Sequence, residues 1–245
     1  MRRCFFGALG HLIFFGLLVG LMLPGYLIYF FIKPFVKNSR VFFQKGASYS
    51  YKMFFKITPK IVLKKELLTP MPKGVIFIAT HQSILDFPAL ATFIEDFLIF
   101  ANVNLGKYKL VEKITHSVGV RYIKGKKIEE LGDIYKELEK QLEENKNIIY
   151  FPEGSRHSGK TLLPFKRGAF KMAKKKNKLI VPIVIEGAYK LLPRKAFCFA
   201  SSKRVTIYLK MLKPLDPQDF ASELDMMAYA QKIMQEEKER LCELL

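Results

Sequence analysis

The chain has 245 residues, half of them hydrophobic, which is enough for one large domain with a substantial core. Its 41 lysines and arginines outnumber 22 acidic residues and give a net charge of +19, so we expect an anionic partner: a nucleic acid, an acidic protein or a membrane surface. The three cysteines are odd in number and far apart, which argues against a disulfide framework or a cysteine metal site and indicates a reducing compartment.

The N-terminal stretch favours the membrane among these partners. It carries no charged residue from Cys4 to Ile32, and Cys4 to Leu23 alone could span a bilayer, for which roughly 20 apolar residues suffice. Basic residues flank the stretch on both sides and Pro24-Gly25 interrupts it, so we favour a helical hairpin dipping into one leaflet over a simple span. A cleaved signal peptide fits less well, because the run is long and no clean cleavage site follows.

The following segment, residues 36–60, mixes rings with positive charge. Its apolar members are Val41, Phe42, Phe43, Tyr49, Met53, Phe54 and Phe55, and its basic members are Lys37, Arg40, Lys45, Lys52, Lys56 and Lys60. We predict that it lies in a lipid headgroup layer, with rings inward and ammonium groups toward phosphates. The alternative is an ordinary surface helix of the globular domain. We assign residues 1–60 to a membrane-associating helical segment and residues 61–245 to an α/β domain.

Strand-like and helix-like segments alternate through this second domain. The predicted strands are Val75 to Thr80, Phe97 to Asn102, Val120 to Ile123, Ile148 to Phe151, Leu179 to Glu186 and Val205 to Leu212. The predicted helices are Ser83 to Ile94, Tyr108 to His116, Ile128 to Asn145, Phe165 to Lys176 and Ser222 to Leu244. This alternation predicts an α/β fold with a mostly parallel, mixed sheet flanked by helices.

The first candidate site is His81-Gln82-Ser83-Ile84-Leu85-Asp86, directly after a predicted buried strand. On an ideal helix the histidine and the aspartate would not share a face, so they can meet only if His81 precedes the helix and Asp86 lies in its first turn. The carboxyl edge of a sheet is where α/β proteins place their chemistry. We predict that His81 is a base oriented by Asp86; a core-edge histidine beside a solvated aspartate is the alternative.

A second candidate site is the loop Phe151-Pro152-Glu153-Gly154-Ser155-Arg156, which follows another strand. Glycine and serine let a backbone approach a ligand closely, and the guanidinium of Arg156 matches a phosphate or a carboxylate. Lys166-Arg167-Gly168 then opens a helix, whose N-terminus is itself favourable for anions. We predict anion binding here, against the alternative of a solvated surface loop.

Taken in order, these blocks resemble the glycerolipid acyltransferases, and most closely the bacterial 1-acyl-glycerol-3-phosphate acyltransferases. The resemblance covers roughly Val75 to Gly187: His-Gln-Ser-x-x-Asp, then Phe-Pro-Glu-Gly-Ser-Arg, then Val181-Pro182-Ile183 on a later strand. Thr80 stands where the family commonly has asparagine. The resemblance implies a membrane-associated enzyme of phospholipid synthesis at the cytoplasmic face of the inner (cell) membrane, making phosphatidic acid.

One family block departs from its pattern. The family usually shows Gly-x-x-Phe-Ile-x-Arg, whereas this chain reads Gly119-Val120-Arg121-Tyr122-Ile123-Lys124-Gly125. Because Gly125 stands at the arginine position, Arg121, Lys124 or Lys126 would have to supply the charge toward the acceptor phosphate. A lysine is a point charge and lacks the bidentate fork of an arginine, so the substitution affects the acceptor more than the chemistry.

The expected reaction is acyl transfer from a thioester to a glycerol hydroxyl. An alcohol needs a base that titrates near neutrality, which is histidine, and Asp86 would fix its tautomer. Glu153, Gly154, Ser155 and Arg156 would shape and charge the acceptor site, while His116 and His157 are assigned structural roles. The chain has no Gly-x-Ser-x-Gly elbow, so a serine hydrolase using Ser83 or Ser155 fits poorly.

The expected partners are anionic membrane lipids, lysophosphatidic acid and a thioester of acyl-carrier protein or coenzyme A, with no metal or other cofactor. Three alternatives remain open: an acyltransferase for another lysolipid, a non-enzymatic basic membrane-binding module, and a nucleic-acid binder. The last is disfavoured because the uncharged N-terminal run has no use in binding nucleic acid.

Overall fold

The computed structural model describes residues 30–31, 35, 39–102, 109–123, 128–194, 200–201 and 203–245. The predicted membrane stretch, except Phe30 and Phe31, lies outside these residues, and so do Lys124, Gly125 and Lys126. Within the described ranges, no helix is both long enough and apolar enough to cross a bilayer.

The described elements alternate along the chain. The strands are β1 (Ile61–Glu66), β2 (Ile76–Ala79), β3 (Phe97–Asn102), β4 (Val120–Ile123), β5 (Asn147–Tyr150), β6 (Ile180–Glu186) and β7 (Val205–Met211). The helices are α1 (Ser39–Ile57), α2 (Asp86–Leu90), α3 (Lys109–Ser117), α4 (Ile128–Glu143), α5 (Gly168–Lys176), α6 (Ala188–Leu191) and α7 (Glu223–Glu243), with a short 3₁₀ turn at Pro217–Asp219.

The strands form one seven-stranded sheet in the order β1-β7-β6-β2-β5-β3-β4. Every neighbouring pair is parallel except β6 and β7, which run antiparallel. The predicted α/β class with a mostly parallel, mixed sheet is therefore confirmed. In this order β2 lies between β5 and β6, so the carboxyl ends of three parallel strands meet at the sheet edge where His81 follows β2.

Alternate residues of the central strands point to opposite faces and build two hydrophobic clusters. On one face Phe77 and Ile183 pack with α1, α2, α3 and α6; on the other Ile78 and Val184 pack with α4, α5 and α7. The strand β6 is buried at all seven positions, as expected when helices cover both faces of a parallel sheet.

Two elements differ from the prediction. The strand β1 was not predicted, because it lies at the edge of the sheet with its last three residues exposed, and the strand it pairs with, β7, lies far along the chain. The helix predicted over Ser83 to Ile94 is real only as Asp86–Leu90. The residues before it form the turn that carries the first candidate site, and the residues after it form further turns.

The helix α1 corrects part of the membrane prediction. Phe43, Phe54 and Phe55, expected to face lipid, are buried in the same cluster as the sheet, and only Phe42 and Tyr49 of the predicted aromatic residues are exposed. Hydrogen bonds also hold this helix to the domain. Arg40 Nη2 donates to Asp96 Oδ1 at 2.9 Å, and Gln44 Nε2 donates to the carbonyl of Phe97 at 2.8 Å. The predicted boundary at residue 60 thus falls between two elements that share one hydrophobic cluster.

Candidate active site

The structure brings His81 and Asp86 together at the end of β2. His81 Nδ1 lies 2.9 Å from Asp86 Oδ2, and the aspartate side chain is fully buried. The same oxygen accepts the backbone N–H groups of Gln82 at 2.6 Å and Ser83 at 2.8 Å. Three donors on one carboxylate oxygen keep it in place. Because Nδ1 must hold a proton to donate to this oxygen, Nε2 is left with a lone pair.

The imidazole has one open edge. Its ring stacks on Phe151, with centroids 4.0 Å apart and planes 15° from parallel, and about a fifth of the side chain is solvent-exposed. Among the described residues Nε2 has no hydrogen-bond partner. A fixed, partly exposed ring with a free lone pair can take a proton from a bound hydroxyl group.

Glu153 joins the two sequence blocks. Its Oε1 accepts the backbone N–H of His81 at 3.0 Å, and its Oε2 accepts the N–H of Leu163 at 3.0 Å. Burial raises the pKa of the Glu153 carboxyl, and the two backbone donors partly oppose that shift. The backbone N–H of His157 also donates to the carbonyl of His81 at 2.8 Å. The second block is therefore bonded to His81 through both a side chain and the main chain.

Arg156 lies within this second block, one residue before His157. It is partly buried, and within the described part of the chain it has no ion pair. Gly154 has φ +67°, a backbone conformation that residues other than glycine rarely adopt. A Cβ at this position would lie 2.4 Å from Lys166 Nζ. The glycine thus allows the lysine to lie directly over the loop. Ser155 is partly exposed and is placed in the same loop.

The position of Lys166 beside the loop was missed as a site feature. The sequence counted Lys166 as part of a basic helix start that favours anions, but its approach to Gly154 depends on the loop conformation. The signal that could have found it is the glycine in the Glu-Gly-Ser-Arg block, which makes room for a neighbour. The stacking of Phe151 on His81 was also missed, because the two residues are far apart in sequence and meet only in the fold.

Arg121 does not present a free guanidinium. Its Nε donates to Glu137 Oε1 at 2.8 Å, and its Nη1 donates to the carbonyl of His116 at 3.1 Å. A phosphate would have to compete with Glu137 for this side chain. Lys124 and Lys126 lie outside the described residues, so their roles toward the acceptor phosphate stay predictions.

Ser83 is not arranged as a nucleophile next to His81. Ser83 is buried, and its Oγ donates to the carbonyl of Leu192 at 2.7 Å rather than to an imidazole. Among the described side chains, no group of three or more histidines, cysteines, aspartates and glutamates could hold a metal ion. The contact between His81 Nδ1 and the buried Asp86 fits a general base acting on a substrate hydroxyl.

Comparison with known proteins gives the family. The sequence model described as Acyltransferase matches residues 60–186, just over half of the chain, and this chain belongs to that family. The match contains both blocks of the site, from β1 to the end of β6.

Individual relatives are more distant. The chain is 27% identical over 177 residues to the chloroplastic 1-acyl-sn-glycerol-3-phosphate acyltransferase LPAT1 of Arabidopsis thaliana, covering 72% of this chain and 49% of that protein. It is 28% identical over 127 residues to the 1-acyl-sn-glycerol-3-phosphate acyltransferase of Borreliella burgdorferi, covering 51% of each. The chain thus spans about half the length of these curated relatives.

A solved structure shares the fold. The 1-acyl-sn-glycerophosphate (LPA) acyltransferase PlsC of Thermotoga maritima superposes with a TM-score of 0.69 at 23% identity, over 89% of this chain and 95% of that one. The likeness extends beyond the matched family region to nearly the whole chain.

Proposed function

We propose that this protein transfers a fatty acyl group from a thioester to the free hydroxyl of 1-acyl-glycerol-3-phosphate, giving phosphatidic acid. The observation that carries the proposal is the 2.9 Å contact between His81 Nδ1 and the buried Asp86, beside a loop whose Arg156 has no ion pair with any described residue. Relatives over the same region are named for this reaction. The donor is a thioester of acyl-carrier protein or coenzyme A.

His81 Nε2 is the base in this mechanism. It takes the proton of the glycerol hydroxyl while that oxygen bonds to the thioester carbonyl carbon. The carbonyl then re-forms as the C–S bond breaks, and the imidazolium returns the proton to the leaving sulfur. Asp86 stabilises the positive charge on the ring between these two steps. The acceptor attacks directly, so no acyl-enzyme forms.

Arg156 and Lys166 hold the phosphate of the acceptor in this proposal. A guanidinium binds phosphate through two parallel hydrogen bonds, and Lys166, which lies beside Gly154, adds a point charge. Since Glu153 and His157 bond to the His81 backbone, a phosphate held here lies at a fixed position relative to the base. Such positioning can lower a reaction barrier by several kcal/mol, of the roughly 7–11 kcal/mol available from orientation.

The protein works at a membrane surface in this proposal, at the cytoplasmic face. Residues Phe42, Lys45, Tyr49, Lys52 and Lys56 of α1 are all exposed and recur at spacings of three and four, so they share one face of the helix. A stripe of aromatic and basic residues suits an interface between anionic headgroups and acyl chains. Lysophosphatidic acid resides in such a layer.

The role of Arg156 is tested by its alanine variant. We expect Arg156→Ala to raise the KM for lysophosphatidic acid about 10- to 100-fold, the cost of a lost charge-assisted pair, with a smaller effect on the KM of the donor. Arg240→Ala, which removes an exposed arginine that pairs with Glu237 on α7, is the control. An unchanged acceptor KM in Arg156→Ala would remove this residue from the phosphate site.

A second acceptor class is favoured by one observation, the engagement of Arg121 by Glu137. Fewer free cations at the site would suit a lysolipid whose headgroup is larger than a bare phosphate. An assay with both thioester donors and a panel of lysolipids separates the two. Transfer to lysophosphatidic acid at the highest kcat/KM supports the main proposal, and preference for another headgroup supports the second.

A further inference from the structure

A buried charged pair lies directly behind the catalytic turn, defined here as residues 81–86. Lys238 of α7 bonds to Glu186 at the end of β6, and their side chains are 3% and 0% exposed. Gln82 Nε2 donates to the same glutamate oxygen at 2.6 Å. These three side chains, Gln82, Glu186 and Lys238, form what we call the Lys238 network. The mechanism above makes no use of it.

The network reaches the catalytic aspartate through one residue. Gln82 donates its side-chain amide to Glu186 and its backbone N–H to Asp86 Oδ2, the latter at 2.6 Å. The bond from its side chain to Glu186 restrains the Gln82 backbone. A shift of that backbone would move the N–H donor away from the Asp86 oxygen that orients His81. The other half of the turn has its own attachment, since Ser83 Oγ donates to the carbonyl of Leu192. Both backbone donors to Asp86 thus belong to residues whose side chains are held by the segment 186–192.

Placing two ions in the interior is costly, and a well-packed apolar group often does as well for stability alone. Glu186 accepts from Gln82, from Lys238 and from the backbone N–H of Gly187 at 3.1 Å, so at least three donors use this carboxylate. The stability of the fold does not require that Glu186 accept a hydrogen bond from Gln82. That hydrogen bond is needed to hold the catalytic turn in one orientation.

We propose that the Lys238 network is a positioning device for His81 and Asp86: Lys238 fixes Glu186, Glu186 fixes the side chain of Gln82, and Gln82 presents its backbone donor to Asp86. The inference rests on the proposed function, because it assigns the network to the reaction of that site. The C-terminal helix, which lies outside the region matched by the family, thereby contributes to the geometry of the base.

The first test is Gln82→Met, which keeps the volume of the side chain and leaves the Glu186–Lys238 pair intact. We expect kcat to fall at least about tenfold with the KM for lysophosphatidic acid changed less than about twofold, because positioning acts on the chemical step. The control is Lys174→Met. Lys174 Nζ donates to the carbonyls of Pro217 and Phe220, far from the catalytic turn, so its loss should lower thermal stability without lowering kcat.

The second test compares two double variants in which no ion is left unpaired. Glu186→Gln with Lys238→Met retains an acceptor for Gln82, whereas Glu186→Leu with Lys238→Met removes it. We expect the first to keep kcat within about threefold of wild type and the second to lose at least about tenfold. This comparison carries the test if Gln82→Met does not fold.

A readout independent of turnover is the ¹H NMR resonance of the His81 Nδ1 proton, which reports the bond to Asp86. It should move upfield in Gln82→Met and in the leucine double variant but not in the glutamine double variant or in Lys174→Met. Equal kcat and equal Nδ1 resonance in all folded variants would overturn the inference. If wild type shows no transfer, the proposed function fails, and the resonance alone then decides the positioning role.

Discussion

One oxygen of Asp86 accepts the His81 ring and two backbone donors, all within 2.9 Å. The five-residue spacing permits this because α2 begins at Asp86, so His81 lies before the helix and the intervening turn folds its amides toward the carboxylate. The sequence predicted the meeting of the two side chains from that reasoning. It did not predict that the aspartate also holds the backbone of the turn, since that depends on dihedral angles that no residue pattern specifies.

At this scale we predict that Asp86→Asn lowers kcat by about 10³- to 10⁴-fold, because an amide nitrogen facing Nδ1 favours the wrong tautomer of the ring. The measurement is steady-state transfer to lysophosphatidic acid by protein whose circular dichroism matches wild type. Asp96→Asn is the control, because Asp96 pairs with Arg40 away from the turn. A kcat within tenfold of wild type in folded Asp86→Asn would argue against a base–orienter pair.

The free or occupied state of a basic side chain is the other property that the sequence could not supply. Arg121 and Arg156 are equally basic in the sequence, yet Arg121 is paired with Glu137 and Arg156 has no ion pair among the described residues. The partner of Arg121 comes from a helix that follows its strand. Only the packing of α4 against the sheet shows which guanidinium is available to a phosphate.

At the scale of elements, Glu153 connects the ends of β2 and β5 to the loop before α5. Its two carboxylate oxygens each accept one backbone N–H, from His81 and from Leu163. The order of strands in the sheet makes β2 and β5 neighbours, which is why blocks some seventy residues apart form one site. The sequence predicted that these blocks belong together through a family resemblance, and the sheet order supplies the physical reason.

The charge state of Glu153 gives a pH prediction. Burial raises the pKa of this carboxyl above its ordinary value of 4.5, so folded protein binds more protons than unfolded protein just above that pH. Stability from this residue is therefore present at low pH and is lost as pH rises from about 4.5 through the raised pKa. Relative to Glu153→Gln, wild type should lose unfolding free energy as pH rises from about 4.5 to 7, measured by urea denaturation.

The control for this pH series is Glu139→Gln. The pKa of Glu139 is lowered, first by its hydrogen bond to Lys175 and then by Lys176, so its contribution is lost only as pH falls below about 4.5. The difference from wild type should stay flat between pH 5.5 and 7. A flat profile for Glu153→Gln as well would contradict the burial effect.

We also expect Glu153→Gln to lower kcat about 10- to 100-fold, since it shifts the His81 backbone.

The strand β1 was missed and the helix α1 was misplaced, because residue patterns do not show what an element packs against. The strand β1 has a weak apolar pattern because half of it is exposed at the sheet edge, and its pairing with β7 joins distant parts of the chain. The helix α1 was placed in lipid because its rings and lysines interleave. Its buried rings instead complete the protein core, which a composition argument cannot distinguish from burial in lipid.

At the scale of the whole molecule, the sheet separates two helical layers with different exposed surfaces. The exposed rings Phe42 and Tyr49 lie on α1 in one layer, and exposed Leu224 and Tyr229 lie on α7 in the other. If the α1 layer faces the bilayer as proposed, only its exposed apolar residues should matter for vesicle binding. The net charge of +19 should make that binding sensitive to salt.

We predict that Phe42→Ser with Tyr49→Ser weakens sedimentation with phosphatidylglycerol-containing vesicles at least about fivefold, whereas Leu224→Ser with Tyr229→Ser does not. Wild-type binding should weaken as salt rises from about 50 to about 500 mM. Over that range the screening length, roughly 10 Å at 0.1 M, becomes shorter and the attraction between protein and lipid charges falls. Equal loss in both double variants, or binding that ignores both salt and vesicle charge, would contradict the orientation.

The central claim is that His81 removes the proton from a lysolipid hydroxyl during direct acyl transfer. Its most direct test is the transfer of labelled acyl groups from a thioester to lysophosphatidic acid by purified wild type and His81→Ala in the same vesicles. We predict labelled phosphatidic acid from wild type, a rate at least about 10³-fold lower in His81→Ala, and unchanged binding of lysophosphatidic acid. A folded His81→Ala protein that transfers at a near-normal rate would contradict the claim.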